Sequence, residues 1–280
     1  MPKAKRKSAD KDLEKGSAKW FDDESTRFKG VLRHASLISN KIGRHVATPP
    51  RGLATWLWLR AIITSQSIER LLTPHESVPG GAYLDHASIA TLSRSLIENV
   101  AVMRYIGDDD ISEDEWRCRH YIINMYDAVH RTEFLSLIGA DYKLGERDRK
   151  ILTRKLEENA FFQTLPAKRQ KRLLNGDDMF VHGRHNAMLA LGWSDDETRG
   201  VYKYLSTQAH SQSMAFQRTE ENRLYEKDSP YAKSVAAFAL AWARLALGFG
   251  CVHMFKLFPH TEAAFDPIIV TAIKKEYTPD

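Results

Sequence analysis

Residues 235–255, VAAFALAWARLALGFGCVHMF, hold one charged residue, Arg244, in 21 positions. About 20 apolar residues suffice to cross a bilayer, so such a run either spans a membrane or fills a protein core. An arginine at the centre of a span costs about 2.5–3.5 kcal/mol even on the lenient insertion scale. The run is also built on Ala and Gly rather than on Leu and Ile. A helix apolar on all sides is what the central member of a soluble bundle looks like. The run is therefore read as a buried core helix, and no membrane is expected among the partners.

The rest of the chain must then supply helices to cover it. Almost every segment carries the helical period and almost none alternates as a strand does. Helices are predicted near 24–45, 53–73, 82–107, 112–138, 146–163, 166–174, 195–212 and 229–258. Their breaks have chemical causes. Pro49 and Pro50 in TPPRG and the Pro/Gly-rich TPHESVPGG at 73–81 interrupt the helical hydrogen bonds. Ser112 with Glu115 reads as a capping box, and Ser229 with Pro230 places proline at a first helical position. The fold class expected is all-α: a multi-helix bundle with a long apolar central C-terminal helix. GERDRKILTRKLEEN and PAKRQKRLLNGDD, dense in both charges, form a charged outer helical hairpin over 144–175.

Composition places the domains. With 43% hydrophobic and 28% charged residues in 280, the chain is ordinary for a folded protein. Residues 1–20 have hardly any apolar content to offset their ordering entropy and are expected as a disordered basic tail. Residues 21–280 are expected as a single helical domain. The net charge of +5 and pI near 9.1 favour polyanions without naming one. Two cysteines, Cys118 and Cys251, and a start without a signal-like apolar run point to reduced thiols in a cytoplasmic protein and exclude zinc held by cysteine pairs.

Candidate site residues come from polarity where packing does not require it. In the third helix Ile89, Leu96, Val100 and Met103 form one stripe, and the opposite face carries Arg94 and Glu98 one turn apart among small and aromatic residues. Arg60 and Arg244 are likewise single cations in apolar stretches. In YKYLSTQAHSQSM, residues 202–214, Tyr202, Ser206 and His210 recur every four residues and line one edge of a helix. The expectation is one shared polar centre, with His210 and Arg94 as catalytic candidates and Glu98, Tyr202, Ser206, Arg244 and Arg60 as ligand-binding ones. An i,i+4 Ser and His pair lacks the strained turn and oxyanion donors of a serine hydrolase. His182 and His185 near Asp177 and Asp178 lack the H-E-x-x-H pattern, so neither a metal nor a cofactor is expected.

LSRSLIENVAVMRYI, the charged hairpin and YKYLSTQAH together resemble an uncharacterised family of all-helical bacterial proteins that share an Arg-x-x-x-Glu helix and a later Tyr-x-x-Leu-Ser-x-x-x-His helix. The resemblance covers roughly residues 80–215 and marks Arg94, Glu98, Tyr202, Ser206 and His210; it implies no established activity. More distantly the chain is similar to HEPN proteins, helical bundles that often act as metal-independent ribonucleases in toxin and phage-defence systems. Their motif sets a histidine a few residues after an arginine. Arg27 with His34 and Arg70 with His75 approximate it, but with an apolar residue after each arginine. A HEPN-like site here would need its two residues from different helices, such as Arg94 with His210.

Two functions follow. In the first, a cytoplasmic helical bundle binds an anionic ligand, a nucleotide or RNA phosphate, at its polar centre, with or without hydrolysis. Its partners are then nucleic acid or nucleotide, with a homo-oligomer left open and a stress or phage-defence role implied by the resemblance. In the second, a non-catalytic interaction module, the same residues only fix helix packing.

Overall fold

The computed structural model describes residues 3–43, 48–74, 82–140 and 144–278. Its helices in chain order are α1 (Lys3–Ile42), α2 (Pro49–Leu71), α3 (His86–Ile106), α4 (Glu113–Leu137), α5 (Leu144–Glu157), α6 (Ala160–Gln163) and α7 (Ala167–Leu174). They continue with α8 (Arg184–Leu189), α9 (Asp195–Ala209), α10 (Ser213–Phe216) and α11 (Pro230–Leu257), then a 3-10 turn over Pro259–Ala264 and α12 (Pro267–Tyr277). No β-strand occurs among the described residues, and the fold is all-α as the periodicity predicts. The caps agree in part. Ser112 accepts from the Glu115 N–H, and Ser229 caps α11 with Pro230 at its start. The complete capping box is instead at Ser194 and Glu197, opening α9.

The chain groups into two compact units where the composition suggests one domain. The first comprises residues 1–46, 55–101 and 191–280; the second comprises 47–54 and 102–190. In the first unit α11 packs chiefly against α1, and also against α12 and the 3-10 turn. By length and composition α11 is long and apolar enough to cross a membrane, yet most of its apolar stretch is buried inside the protein. Its Gly-Phe-Gly stretch has a packing reason. A Cβ on Gly248 would lie 2.4 Å from the Tyr277 ring, and one on Gly250 would lie 2.7 Å from Trp58. The two glycines let α12 and the indole of α2 approach the backbone of α11 directly. The predicted stripe of α3 is wholly buried, with Ile89, Leu96, Val100 and Met103 all at zero exposure.

Residues 3–20 of the expected tail lie in α1. α1 begins at Lys3, Ser17 is buried, and Ser234 of α11 donates to its hydroxyl at 2.9 Å. The physical reason is cooperativity. Once the later turns of α1 are packed, extending the helix needs no new nucleus, and Lys, Ala and Glu are strong helix formers that favour its propagation. α12 and the short α8 lie where no helix is predicted.

The second unit is closed by a core that includes Ile122, Met125, Phe162, Leu173 and Val181. The charged hairpin belongs to this core as well as to the surface, because Leu156, Leu165 and Leu173 point inward from it while Arg149, Lys150, Lys171 and Arg172 stay exposed. Arg169 of KRQKR turns inward too: its Nε donates to the Val181 carbonyl at 2.6 Å and its Nη2 to Asp178 at 2.9 Å. That leaves less of the stretch as a free basic patch than its composition suggests. Cys118 in this unit is buried, and desolvation pushes its thiol up to about 12, an inert state.

Candidate functional site

The candidate site lies wholly in the first unit, where α9 carries its polar row to Arg94 of α3. The capping box at Ser194 starts α9, and Val201 and Leu205 bury its apolar side, which fixes the helix rotation. Tyr202 and His210, two turns apart on the same edge, then flank the Arg94 guanidinium. Arg94 Nη2 donates to the Tyr202 hydroxyl at 2.8 Å and to Glu98 Oε1 at 3.2 Å, while Nη1 lies 3.1 Å from His210 Nε2. The guanidinium carbon also stands 4.8 Å from the centre of the Tyr202 ring. So residues 116 apart in sequence are brought into hydrogen-bond contact, as a site shared between two helices requires.

The polarity of these bonds is set by chemistry. Arginine can only donate, so the contact to His210 exists while Nε2 presents its lone pair and the proton sits on Nδ1. His210 caps α9 and is exposed, whereas the Arg94 side chain is only 16% exposed and Glu98 33%. Arg94 Nε is buried with no partner among the described residues. The cluster is therefore graded, with a held cation inside and an imidazole at the mouth.

Three of the expected members are placed otherwise. The Ser206 hydroxyl donates to the Tyr202 carbonyl at 2.6 Å, the back-bond that serine makes within a helix, so it serves α9 and not the guanidinium. Arg60 is exposed on α2 and joins no cluster among the described residues. Arg244 forms a separate group: its Nε donates to Glu24 at 3.0 Å, and its Nη1 to Glu276 at 2.7 Å and to the Tyr277 hydroxyl at 3.1 Å. The one polar centre expected from three arginines is two centres and a surface residue, because each guanidinium is satisfied by whichever carboxylate its own helix neighbours bring.

Of the in-helix Arg and His spacings, Arg27 turns to Glu24 at 3.4 Å, and the His34 ring meets Phe265 edge-on at 6.0 Å. His75 lies outside the described residues. No group of three or more His, Cys, Asp or Glu side chains is gathered for a metal among the described residues. No family model, curated protein or solved structure matches the chain.

Proposed function

We propose that the Arg94 cluster binds the phosphate of a nucleotide or of RNA. The observation that carries this reading is the exposed His210 imidazole resting on a half-buried guanidinium. Arginine supplies a forked donor matched to phosphate oxygens. An arriving phosphate takes the Nη1 hydrogen that His210 now accepts, and His210, on gaining a proton, becomes a second donor to the same phosphate. Tyr202 and Glu98 hold the other guanidinium nitrogen in place during this exchange. In an enzymatic form of the site, His210 is the group able to move a proton at the phosphate.

A second reading is favoured by one feature: Glu98 already neutralises Arg94 within its own helix, and an anion site gains from uncompensated charge. On that reading the cluster only ties α9 to α3. Charge separates the two by sign. Glu98→Gln leaves Arg94 uncompensated and is expected to tighten binding of a labelled oligoribonucleotide severalfold, while Arg94→Gln abolishes it. Binding that responds to neither change, or no binding by the unaltered chain, overturns the phosphate reading and leaves the structural tie.

A further inference from the structure

We propose that the first unit carries a second, independent binding site, for a planar nitrogen heterocycle bearing an acidic group, in the cavity on the other edge of α9. Residues two apart on a helix point some 200° from one another, so Tyr204 and Gln208 face away from the row of Tyr202 and His210. They look into a cavity of about 420 Å³, closed by His86 at the start of α3, by Tyr231 of α11 and by a strap over residues 211–228. This volume lies within the range of about 300–1,000 Å³ usual for small-molecule sites.

The lining states the chemistry. His86 is 2% exposed, and its Nδ1 faces the Leu84 carbonyl at 3.4 Å, so that nitrogen donates. Nε2 keeps its lone pair and has no partner among the described residues. His86 therefore offers the cavity it lines an acceptor for an N–H or O–H donor. Burial also holds His86 below the ordinary imidazole value, hence neutral. Gln208, 9% exposed, shares a hydrogen bond with the Tyr204 side chain, and its amide still has capacity for both donation and acceptance. Asn222 on the strap adds a second amide. Paired amides read the edge of a heterocycle that offers a donor beside an acceptor, and the Tyr204 and Tyr231 rings offer faces on which such a ring stacks. Arg218 is the charged residue in the lining and is exposed, which places an acidic substituent at the mouth with the ring inside.

The strap has the backbone of a clamp. Ser211, Arg223 and Asp228, with φ of 46°, 51° and 59°, are the non-glycine residues of positive φ among those described, and all three lie in it. Such conformations are strained for non-glycine residues and gather at ligand clamps and switch regions. The Tyr225 ring of the strap sits 5.7 Å from the His86 ring, which ties the strap to the start of α3.

The test uses the full chain and calorimetric titration with AMP, GMP, CMP and UMP, with the matching nucleosides and ribose 5-phosphate as controls. At least one mononucleotide is expected to bind, its nucleoside at least tenfold more weakly, and ribose 5-phosphate not measurably. Asn222→Leu and Arg218→Gln, both on the strap, are expected to weaken binding tenfold or more without moving the melting temperature by more than a degree or two. Arg94→Gln is expected to leave it unchanged, which distinguishes this cavity from the phosphate site. His86→Asn, checked first for an unaltered melt, is expected to weaken it as well. The proposal is overturned if no mononucleotide binds, if ribose 5-phosphate binds as tightly as the nucleotide, if binding survives the strap variants, or if it is lost in Arg94→Gln.

Discussion

Arg94 and Arg244 interrupt apolar faces of their helices in the same way, and each finds a carboxylate and a tyrosine. Their surroundings differ in one respect. Arg244 draws its carboxylates from distant segments, Glu24 of α1 and Glu276 of α12, and its pair with Glu24 is closed, at 9% and 7% exposure. Arg94 takes its carboxylate from its own helix, and its distant partners, Tyr202 and His210, carry no charge. The Arg244 cluster thus pins three helices, with its Glu24 contact closed to water and its Glu276 contact at the surface, and the Arg94 cluster leaves an imidazole at the surface. A lone arginine in an apolar stretch is the same signal in both places; where its opposite charge resides decides whether it is a bolt or a binding group.

The largest effect is expected at the bolt. Arg244→Met leaves the buried Glu24 with its longer contact to the mostly exposed Arg27 at 3.4 Å, and removing one member of a buried pair costs about 3–5 kcal/mol. Urea denaturation of the variant measures it. A loss below about 1 kcal/mol, the range of exposed pairs, erases the distinction drawn between the two clusters.

Arg94→Ala is expected to cost less, about 1–3 kcal/mol, since Tyr202 and Glu98 lose a charged donor but remain open to water. If the loss equals that of Arg244→Met, both clusters are bolts. Double variants with Glu98→Gln sharpen the point: coupling within the Arg94 cluster should appear without coupling to Arg244, because the hydrogen bonds described for the two guanidinium groups go to different residues.

A smaller effect follows from titration. Burial raises the Tyr277 hydroxyl to about 12, against the lowering influence of Arg244 beside it. The folded state therefore keeps a proton that the unfolded chain releases near pH 10. Stability is fully present below pH 10 and falls as pH climbs towards 12. Tyr277→Phe removes this contribution, so the alkaline limb of its melting curve should flatten relative to the unaltered chain. The Arg94 variants should leave that limb unchanged.

How much of this was legible before any coordinates is uneven for physical reasons. The bundle, the breaks and the buried stripe of α3 follow from period and proline chemistry, which act locally. Arg94 with His210 is legible as a pair of unexplained polar groups on otherwise apolar helices. Glu24 is not, because it follows Asp22 and Asp23 in a segment that looks solvated; only the spacing of Phe21, Glu24 and Phe28, all buried, reveals that it shares the inner face. No helix is predicted after 258, although Val270, Ile273 and Tyr277 hold an i, i+3, i+7 spacing and are all buried. Tyr204 and Gln208 escape notice because they alternate with the row of Tyr202 and His210, and one row draws attention from the other. Ser206 misleads for the opposite reason, since a serine's hydroxyl can turn to its own helix without any sign in the sequence.

The smallest stability effect belongs to the residue with the most to say about function. His210 is exposed at the end of α9, where its backbone N–H already bonds the Ser206 carbonyl, so truncating the side chain leaves the helix end intact. Its one described side-chain contact is with Arg94 Nη1, a nitrogen that water can reach once the imidazole is gone, as the partly exposed side chain of Arg94 allows. His210→Ala is therefore expected to change stability by no more than about 0.5 kcal/mol, the range of surface substitutions. A structural tie predicts nothing further. A phosphate site predicts that the same variant loses tenfold or more in oligoribonucleotide affinity at an unchanged melt, and that His210→Gln, which keeps a donor at the mouth, recovers part of it. A melt lowered by several degrees, with no ligand bound by the unaltered chain, would place His210 with Arg244 among the bolts and end the contrast between the two clusters.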